Sequence, residues 1–570
     1  MPEPGSDRDQ DLVGLLAVVG AGLLPVVFID DLYWGAWAPK AAICLMLAGP
    51  GLVLLIRMLV TGSLPACLAF GFLGIATVST AVSDRPALSL VGTANLGTGL
   101  LFVATLAGCW ALGANAGERR RRQMVIVIIA AAVANAAVAW SQARVGDGGR
   151  TAGLMGNPVF LGGLVAGALL MVGRRFGLER RSWWWLPAVV LLAGAAQLSG
   201  GRAAVALALL ALLASLRGAG SARAAALLAA VAVGVVLAPL GAEGVVLGSN
   251  RVSPPGAGVT RTGTAPAAEA TDTRFAVWRI SAGAVRDRPL VGWGPGRLGV
   301  ATSPRYDAVA AQEGVVLKDA HNWVVEYAVT TGLLGLALLL AWLGTAAWKA
   351  RGPLAGFALV VAASGLVQPQ HVALTPLAML ALGAAAAGSP AHESEITQQS
   401  QLLRGAWAAA ALLGLGAGLT AGVVLLAGQI YLGRGVQNGS IPQVQRAVSL
   451  SPPWPEVLIA ESGVEADRGI TLGPPYRRKT LALIRRAAGR DPADSSVWAE
   501  LGAVELAWGS DARAASAFRR ALERNPWEVG ALLGLVKLAQ RRADQGMLTE
   551  SCRRLRTLNR PPSNCPAAPR

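Results

Sequence analysis

Long apolar runs, separated by short polar segments, make up the first three quarters of the chain. The hydrocarbon core of a bilayer is about 30 Å thick, so a helix needs about 20 apolar residues to cross it. The runs lie at residues 12–29, 40–60, 64–82, 90–113, 124–141, 155–173, 183–199, 203–216, 224–240, 323–347, 353–367, 372–388 and 405–429. Because several runs are short, they predict about 12–14 spans. We therefore expect an all-α fold, with a polytopic membrane domain over residues 1–430.

Basic residues in the short segments between the runs predict the orientation. Lys and Arg are concentrated on the cytoplasmic side of membrane proteins. Every second segment is Arg-rich, as at residues 119–122 and at Arg174 and Arg175, while the intervening segments hold few basic residues. This alternation predicts an N-terminus inside the cell, and it places residues 241–322 and the end of the chain outside.

Residues 241–322 form the longest break between apolar runs. The first part is rich in Pro, Gly, Ala and Thr, as flexible segments are. In the second part Phe275, Trp278, Ala282 and Val285 recur at helical spacing. We expect an amphipathic helix there that lies along the outer membrane surface.

Residues 431–570 read as a water-soluble helical domain outside the membrane. Residues 498–526 fit the pattern of a tetratricopeptide repeat through Trp498, Leu501, Gly502, Ala514, Phe518, Ala521 and Pro526. Ala487 and Pro492 precede the last two of these by one repeat length, and helical hairpins without a repeat are the alternative. Such repeats form a surface for a protein partner. Cys552 and Cys565 are either a disulfide or two free thiols.

Composition and charge fit this division and narrow the class of protein. The chain is 54% hydrophobic and only 15% charged, with a net charge of +17. A basic protein can bind nucleic acid, but here much of the charge lies in loops between apolar runs and reads as a topology signal. We expect contact with membrane lipids and no nucleic-acid partner. The cysteine spacings fit no metal site.

Polar residues at the predicted outer ends of the spans are the candidates for chemistry. They are Arg150 and Asn157 in GRTAGLMGNP, Arg202 in LSGGRA, Arg274 and Arg286 on the loop helix, and His321 and Asn322 before a span. Each Arg alone is most simply an interfacial anchor, and His371 reads as structural. Together, several arginines facing one cavity would bind a diphosphate, and a nearby histidine would accept a proton. Outside the membrane, where ATP is absent, this suggests a lipid-linked sugar donor.

These pieces, with the stretches RFAVWRISAGAVRDRPLVGWGPGRLG and AHNWVVEYAVTTGLLGLALLL, resemble the O-antigen ligase and polymerase family of membrane glycosyltransferases over roughly residues 10–430. The resemblance implies transfer of a glycan from an undecaprenyl-diphosphate carrier to an acceptor hydroxyl, at the outer face of a bacterial inner membrane. By motif position Arg202 and Arg274 would bind the diphosphate and His321 would activate the acceptor. Arg150, Asn157, Arg286 and Asn322 would support them, with no metal or cofactor. Two glycines separate Ser199 from Arg202, which departs from the family pattern.

Several functions remain open. Ligation to lipid A–core, polymerisation onto a second carrier-linked unit and glycosylation of a protein share the same donor chemistry. A transporter would need an internal repeat across the spans, and none is evident. A non-enzymatic scaffold acting through its repeats leaves the outer Arg and His residues unexplained.

Overall fold

The computed structural model describes residues 6–94, 97–145, 150–178, 183–216, 220–238, 267–312, 318–387, 401–563 and 565. Within these ranges the chain is helical and has no strand, which confirms the all-α prediction. Ten helices precede the loop: α1 (Ser6–Leu23), α2 (Ala38–Val60), α3 (Leu64–Ala81), α4 (Pro86–Val91), α5 (Leu100–Ala114), α6 (Glu118–Val145), α7 (Pro158–Leu178), α8 (Leu186–Leu198), α9 (Arg202–Leu216) and α10 (Ser221–Leu237). The next seven are α11 (Ala267–Asp287), α12 (Leu298–Thr302), α13 (Trp323–Thr330), α14 (Gly332–Lys349), α15 (Gly352–Ser364), α16 (Leu374–Ala386) and α17 (Gln401–Gln437).

The apolar helices form a polytopic membrane domain, as predicted. Six helices in the described part of the chain are long and apolar enough to cross a bilayer, and seven more apolar helices have 10–17 residues. Large apolar side chains on α9, α14 and α17, such as Leu210, Leu333 and Leu413, are exposed. Helix surfaces with many exposed apolar side chains are stable where lipid, rather than water, covers them.

Two predicted spans are broken rather than continuous. The run at 90–113 divides into α4 and α5, separated at Gly92 in the left-handed region (φ 76°). The run at 323–347 divides into α13 and α14 at Gly332 (φ 71°). There the loop supplies the missing partners: the Trp293 N–H donates to the Val329 carbonyl, and the Leu333 N–H donates to the Pro289 carbonyl. A helix can break at membrane depth where protein groups satisfy the freed backbone.

The two ends of the bundle differ. At one end Arg120 pairs with Asp11, and Arg121 donates to the Ala387 carbonyl. At the other end, here called the loop end, α11 and the C-terminal helices pack together through Ala276, Val277, Ile280, Leu532, Val536, Cys552 and Leu555. The loop and the C-terminal helices therefore share one side of the bundle, as the predicted topology requires.

The loop helix α11 confirms the predicted helix, and the face that it buries against protein is not the predicted membrane-facing one. Phe275 and Ala282, placed on the predicted apolar face, are exposed. The buried residues are Ala276, Val277, Ile280 and Ala284. The reason is that α11 has protein neighbours, the C-terminal helices on one flank and α12 and α13 on the other.

Seven helices follow the last apolar helix: α18 (Ile441–Leu450), α19 (Pro455–Leu472), α20 (Pro474–Arg490), α21 (Ser495–Ala507), α22 (Asp511–Arg524), α23 (Val529–Arg542) and α24 (Gln545–Thr557). Phe518 on α22 is fully buried, and a side chain at Gly502 or Gly534 would collide with its ring. This pairing of small and large residues fits the predicted repeat pattern, which remains a prediction. Cys552 and Cys565 form a disulfide.

A buried arginine joins the C-terminal helices to the membrane domain. The Arg297 guanidinium is 3% exposed and forms two-pronged ion pairs with Asp84, between α3 and α4, and with Asp491, between α20 and α21. Nearby, Trp454 donates from Nε1 to the Gly92 carbonyl and packs edge-on against Trp34 and Trp37. A buried, fully paired arginine fixes relative positions, because removing one partner leaves an uncompensated charge.

Candidate functional site

Arg150 lies at the loop end, in the segment before α7. Its Nε donates to the Ser199 carbonyl over 2.7 Å. Gly200 (φ 60°), in the turn after α8, leaves room for this contact, because a side chain there would meet the Arg150 side chain at about 3 Å. Burial, and then the charge of Arg274, lower the pKa of Arg150.

Arg274 extends from α11 toward the segment after α15. Its guanidinium donates to the Val367 carbonyl, after α15, over 3.1 Å. Its charge acts on both Arg150 and His321. Three segments that are distant in sequence thus place two guanidinium groups and one imidazole close together.

His321 occupies a constrained turn before α13. Its backbone is left-handed (φ 54°), which is uncommon outside glycine. The Asp319 carboxylate holds the turn, accepting from the His321 N–H at 2.6 Å and from the Gln370 N–H at 3.3 Å. Trp278 of α11 also anchors the turn by donating to the Ala320 carbonyl over 2.8 Å.

The imidazole of His321 is oriented by a main-chain contact. Its Nδ1 lies 3.2 Å from the Asp319 carbonyl oxygen. Since a carbonyl only accepts, this bond requires the proton on Nδ1 and leaves the Nε2 lone pair available. Burial, reinforced by the charge of Arg274, lowers the pKa of His321 to about 4. The ring is therefore neutral near pH 7, while its side chain is still 25% exposed.

Two further polar residues support the turn. The Asn322 side chain caps α13, accepting from the N–H groups of Val324 and Val325. Glu326 is buried and accepts from the Ala320 N–H at 3.0 Å, while its other carboxylate oxygen has no partner within the described residues. Both sides of the His321 turn are thus fixed by hydrogen bonds.

The glycine-rich stretch after α11 braces the same region. A side chain at Gly292 would collide with the backbone of Thr330 and Gly332, where α13 meets α14. The Gly294 N–H donates to the Thr330 carbonyl over 2.9 Å. These glycines allow the loop backbone to approach the broken helix, and they do not form a nucleotide-binding turn.

The other predicted residues occupy varied positions. Arg202 is exposed at the first residue of α9, beside the turn that contacts Arg150. Arg286 is exposed near the end of α11. Asn157 accepts from the Val159 N–H at the start of α7. The structure thus brings Arg150, Arg274 and His321 together, places Arg202 near them, and gives Asn157 and Asn322 capping contacts.

His371, which the sequence analysis treated as structural, is half-buried, as His321 is. Its ring stacks on Phe160 with the centroids 4.0 Å apart. Nδ1 accepts from the N–H groups of Ala373 and Leu374, which begin α16. These contacts are those of a helix cap.

Sequence reasoning did not single out Asp319, Gln370 or Arg297. Asp319 stands two residues before His321 in DAHN, a spacing at which an Asp side chain commonly accepts a backbone N–H. That signal was available in the sequence. Gln370 and Arg297 act through partners 51 and 194 residues away, so no local pattern identifies them.

Comparison with known proteins identifies part of this region. Residues 187–340 match the family model described as O-Antigen ligase. The match contains Arg202, Arg274 and His321, and it begins after Arg150. No curated protein matches the chain.

Proposed function

We propose that this chain, which matches the O-antigen ligase family model over residues 187–340, transfers a glycan from an undecaprenyl-diphosphate-linked donor to an acceptor hydroxyl at the outer face of a bacterial inner membrane. The observation that carries the proposal is the convergence of Arg150, Arg274 and His321 from three separate segments. A metal-independent glycosyltransferase reaction needs groups for the diphosphate and a proton acceptor, and this cluster supplies both.

The arginines hold the diphosphate of the donor. Arg274 is close enough to Arg150 to lower the proton affinity of Arg150, so the two positive groups repel one another, and a dianion bound between them removes that repulsion. Guanidinium groups also match phosphate oxygens with two parallel hydrogen bonds. Arg202 reaches the same diphosphate from the start of α9, and Arg286 and Asn157 remain candidates for supporting contacts.

His321 takes the proton from the acceptor. The acceptor oxygen attacks the anomeric carbon, the bond from that carbon to the diphosphate oxygen breaks, and the proton of the hydroxyl passes to Nε2 of His321. The diphosphate leaves with the bonding electron pair, and the arginines stabilise the charge that grows on it. A single displacement inverts the anomeric centre.

The compartment and the orientation belong to the same proposal. The disulfide between Cys552 and Cys565 supports an oxidising compartment for the C-terminal helices. The alternation of basic segments supports the same side. A reporter active only in the cytoplasm, fused after Arg570, is expected to be silent, and an active fusion contradicts the orientation.

One experiment separates the acceptors that the motifs leave open. The gene is deleted and the surface glycans are analysed by electrophoresis. Long carrier-linked chains that fail to attach indicate ligation to lipid A–core, single attached units indicate polymerisation, and the loss of glycan from a protein indicates protein glycosylation. Unchanged glycans in the deletion strain contradict glycan transfer.

A further inference from the structure

A cleft separates the C-terminal helices from the loop end of the membrane domain. The space within it, including its mouth that opens to solvent, is about 560 Å³. The membrane domain contributes Thr93, Val300 and Lys318 to its walls, and the C-terminal helices contribute Glu456 and Asp494. Neither part forms the cleft alone, and Arg297, buried at its base, fixes the two walls together.

The polar groups of this cleft are prearranged. Lys318 pairs with Glu456 at 2.9 Å and approaches Asp494 at 3.8 Å. The hydroxyl-bearing residues Thr93, Ser303 and Ser495 also line the cleft, beside apolar residues such as Leu88 and Trp454. Paired charges and hydroxyls offer both donors and acceptors of hydrogen bonds, the complement of a sugar surface.

The charge of the cleft is opposite to that of the arginine site. Three carboxylates of the lining, Asp491, Glu456 and Asp494, stand against two cations, Arg297 and Lys318. This balance disfavours a phosphate, whereas Arg150 and Arg274 favour one. The arginine site therefore favours a ligand that carries phosphate, and the cleft favours one that does not.

The position of the cleft relates it to His321. Lys318 lies three residues before His321, and consecutive Cα atoms are 3.8 Å apart, so the two Cα atoms are separated by about 11 Å or less. Leu298 and Ala301 of α12 pack against Ala320, while Gly299 and Val300 of the same helix line the cleft. One wall of the cleft therefore lies within the length of a few sugars of the His321 backbone.

Resting on the proposed function, we infer that this cleft binds the acceptor as an uncharged, hydroxyl-rich stretch of glycan. In a single displacement the nucleophile and the leaving group lie on opposite faces of the anomeric carbon. With the diphosphate on the arginines, the acceptor approaches from another wall, and the cleft beside Lys318 supplies it. The C-terminal helices then form part of the substrate site.

The test uses the full-length purified chain and two substrates extracted from the deletion strain, the carrier-linked donor and the unmodified acceptor. Val300→Trp fills the cleft without touching a charge, and Glu456→Gln removes one charge at constant size. Each is expected to raise the KM for the acceptor about tenfold, with the KM for the donor within about twofold. Arg541→Gln, which breaks an ion pair with Asp511 away from the cleft, is the matched control and should change neither.

Salt gives a second readout that depends on the charge of the acceptor. Between about 50 and 500 mM salt, screening is expected to raise the KM for the donor while the KM for the acceptor stays nearly constant. Unchanged acceptor KM in both Val300→Trp and Glu456→Gln overturns the cleft assignment, and a strongly salt-dependent acceptor KM overturns the uncharged acceptor. No transfer by the wild-type chain contradicts the proposed function instead, so the two failures are distinct.

Discussion

His321 and His371 each lie in a turn just before a helix at the loop end. The two turns differ in the hydrogen bonds that the ring nitrogens make. In His321 a carbonyl binds Nδ1, and the ring remains partly exposed beside Arg274. In His371 two backbone N–H groups occupy Nδ1, and the ring stacks on Phe160. Access to a free nitrogen, rather than the presence of a histidine, separates a candidate base from a cap.

The pKa values do not make this distinction. Burial is the main cause that lowers the pKa of both rings, and a nearby cation adds to it in each case, Arg274 for His321 and Lys40 for His371. Both rings are therefore neutral near pH 7. The hydrogen-bond partners decide which one can accept a proton from a substrate.

Replacing His321 should produce the largest loss. His321→Ala removes the proposed proton acceptor and should slow transfer by about 10²–10⁴-fold. The rate is measured with saturating donor and acceptor in detergent or nanodiscs. A loss of less than about threefold would remove the base from the mechanism.

Replacing Arg274 or Arg150 should produce the next largest loss of transfer rate. Arg274→Ala and Arg150→Ala each lose a charge-assisted contact of about 1.5–3 kcal/mol, which corresponds to about one to two decades in rate. Lys at either position should rescue only in part, because an ammonium lacks the planar fork of a guanidinium. Full activity of both Ala variants contradicts diphosphate binding by this pair.

Asp319 tests the geometry of the turn. Asp319→Asn keeps one acceptor oxygen but turns an amide N–H₂ toward one of the two backbone N–H groups that the carboxylate now binds. Loss of one such bond, about 1–1.5 kcal/mol, should lower kcat about tenfold. Donor binding should remain normal in the same preparation. An unchanged kcat would show that the left-handed turn is not needed for catalysis.

The pH profile of kcat/KM depends on the neighbour of His321. Activity requires the neutral ring, so it should fall as the pH drops through about 4. Arg274→Ala removes a charge that lowers the pKa of His321, so the acid limb should move to higher pH. Because burial is the larger cause, the limb should remain below that of a free histidine. A limb that does not move indicates another titrating group.

His371 gives the smallest expected change in rate. His371→Ala removes the cap at the start of α16 and the stack on Phe160, so the free energy of unfolding should fall by about 1 kcal/mol or more. The transfer rate of the folded fraction should stay within about threefold of wild type. A loss comparable to that of His321→Ala would erase the contrast between the two turns.

Much of the fold follows from the sequence, because span length and hydrophobicity are local properties. The apolar runs predict the membrane helices, and the spacing within residues 271–289 predicts a helix that the structure shows as α11. The break at Gly332 depends on loop groups that satisfy the freed backbone, and at Gly92 the carbonyl accepts from Trp454 of the C-terminal helices; apolar content shows neither. The buried face of α11 depends in the same way on the C-terminal helices.

The candidate site also has residues that the sequence could suggest and residues that only the fold brings together. His321, Arg274 and Arg150 could be proposed because charged and imidazole groups at span ends are conspicuous in an apolar sequence. The cleft and the ion pairs of Arg297 could not be proposed from the sequence, because Asp84, Arg297 and Asp491 become neighbours only in the folded chain.

The central claim is that donor binding and proton transfer belong to different residues, and one paired measurement tests it. Donor affinity and the single-turnover transfer rate are measured on the same preparations of wild type, His321→Gln and Arg274→Ala. We expect His321→Gln to bind the donor with normal affinity and to transfer at least about 100-fold more slowly, because an amide can hydrogen-bond but cannot accept the proton. Arg274→Ala should bind the donor more weakly. A His321→Gln protein that transfers at the wild-type rate, or an Arg274→Ala protein that binds the donor normally, contradicts the account.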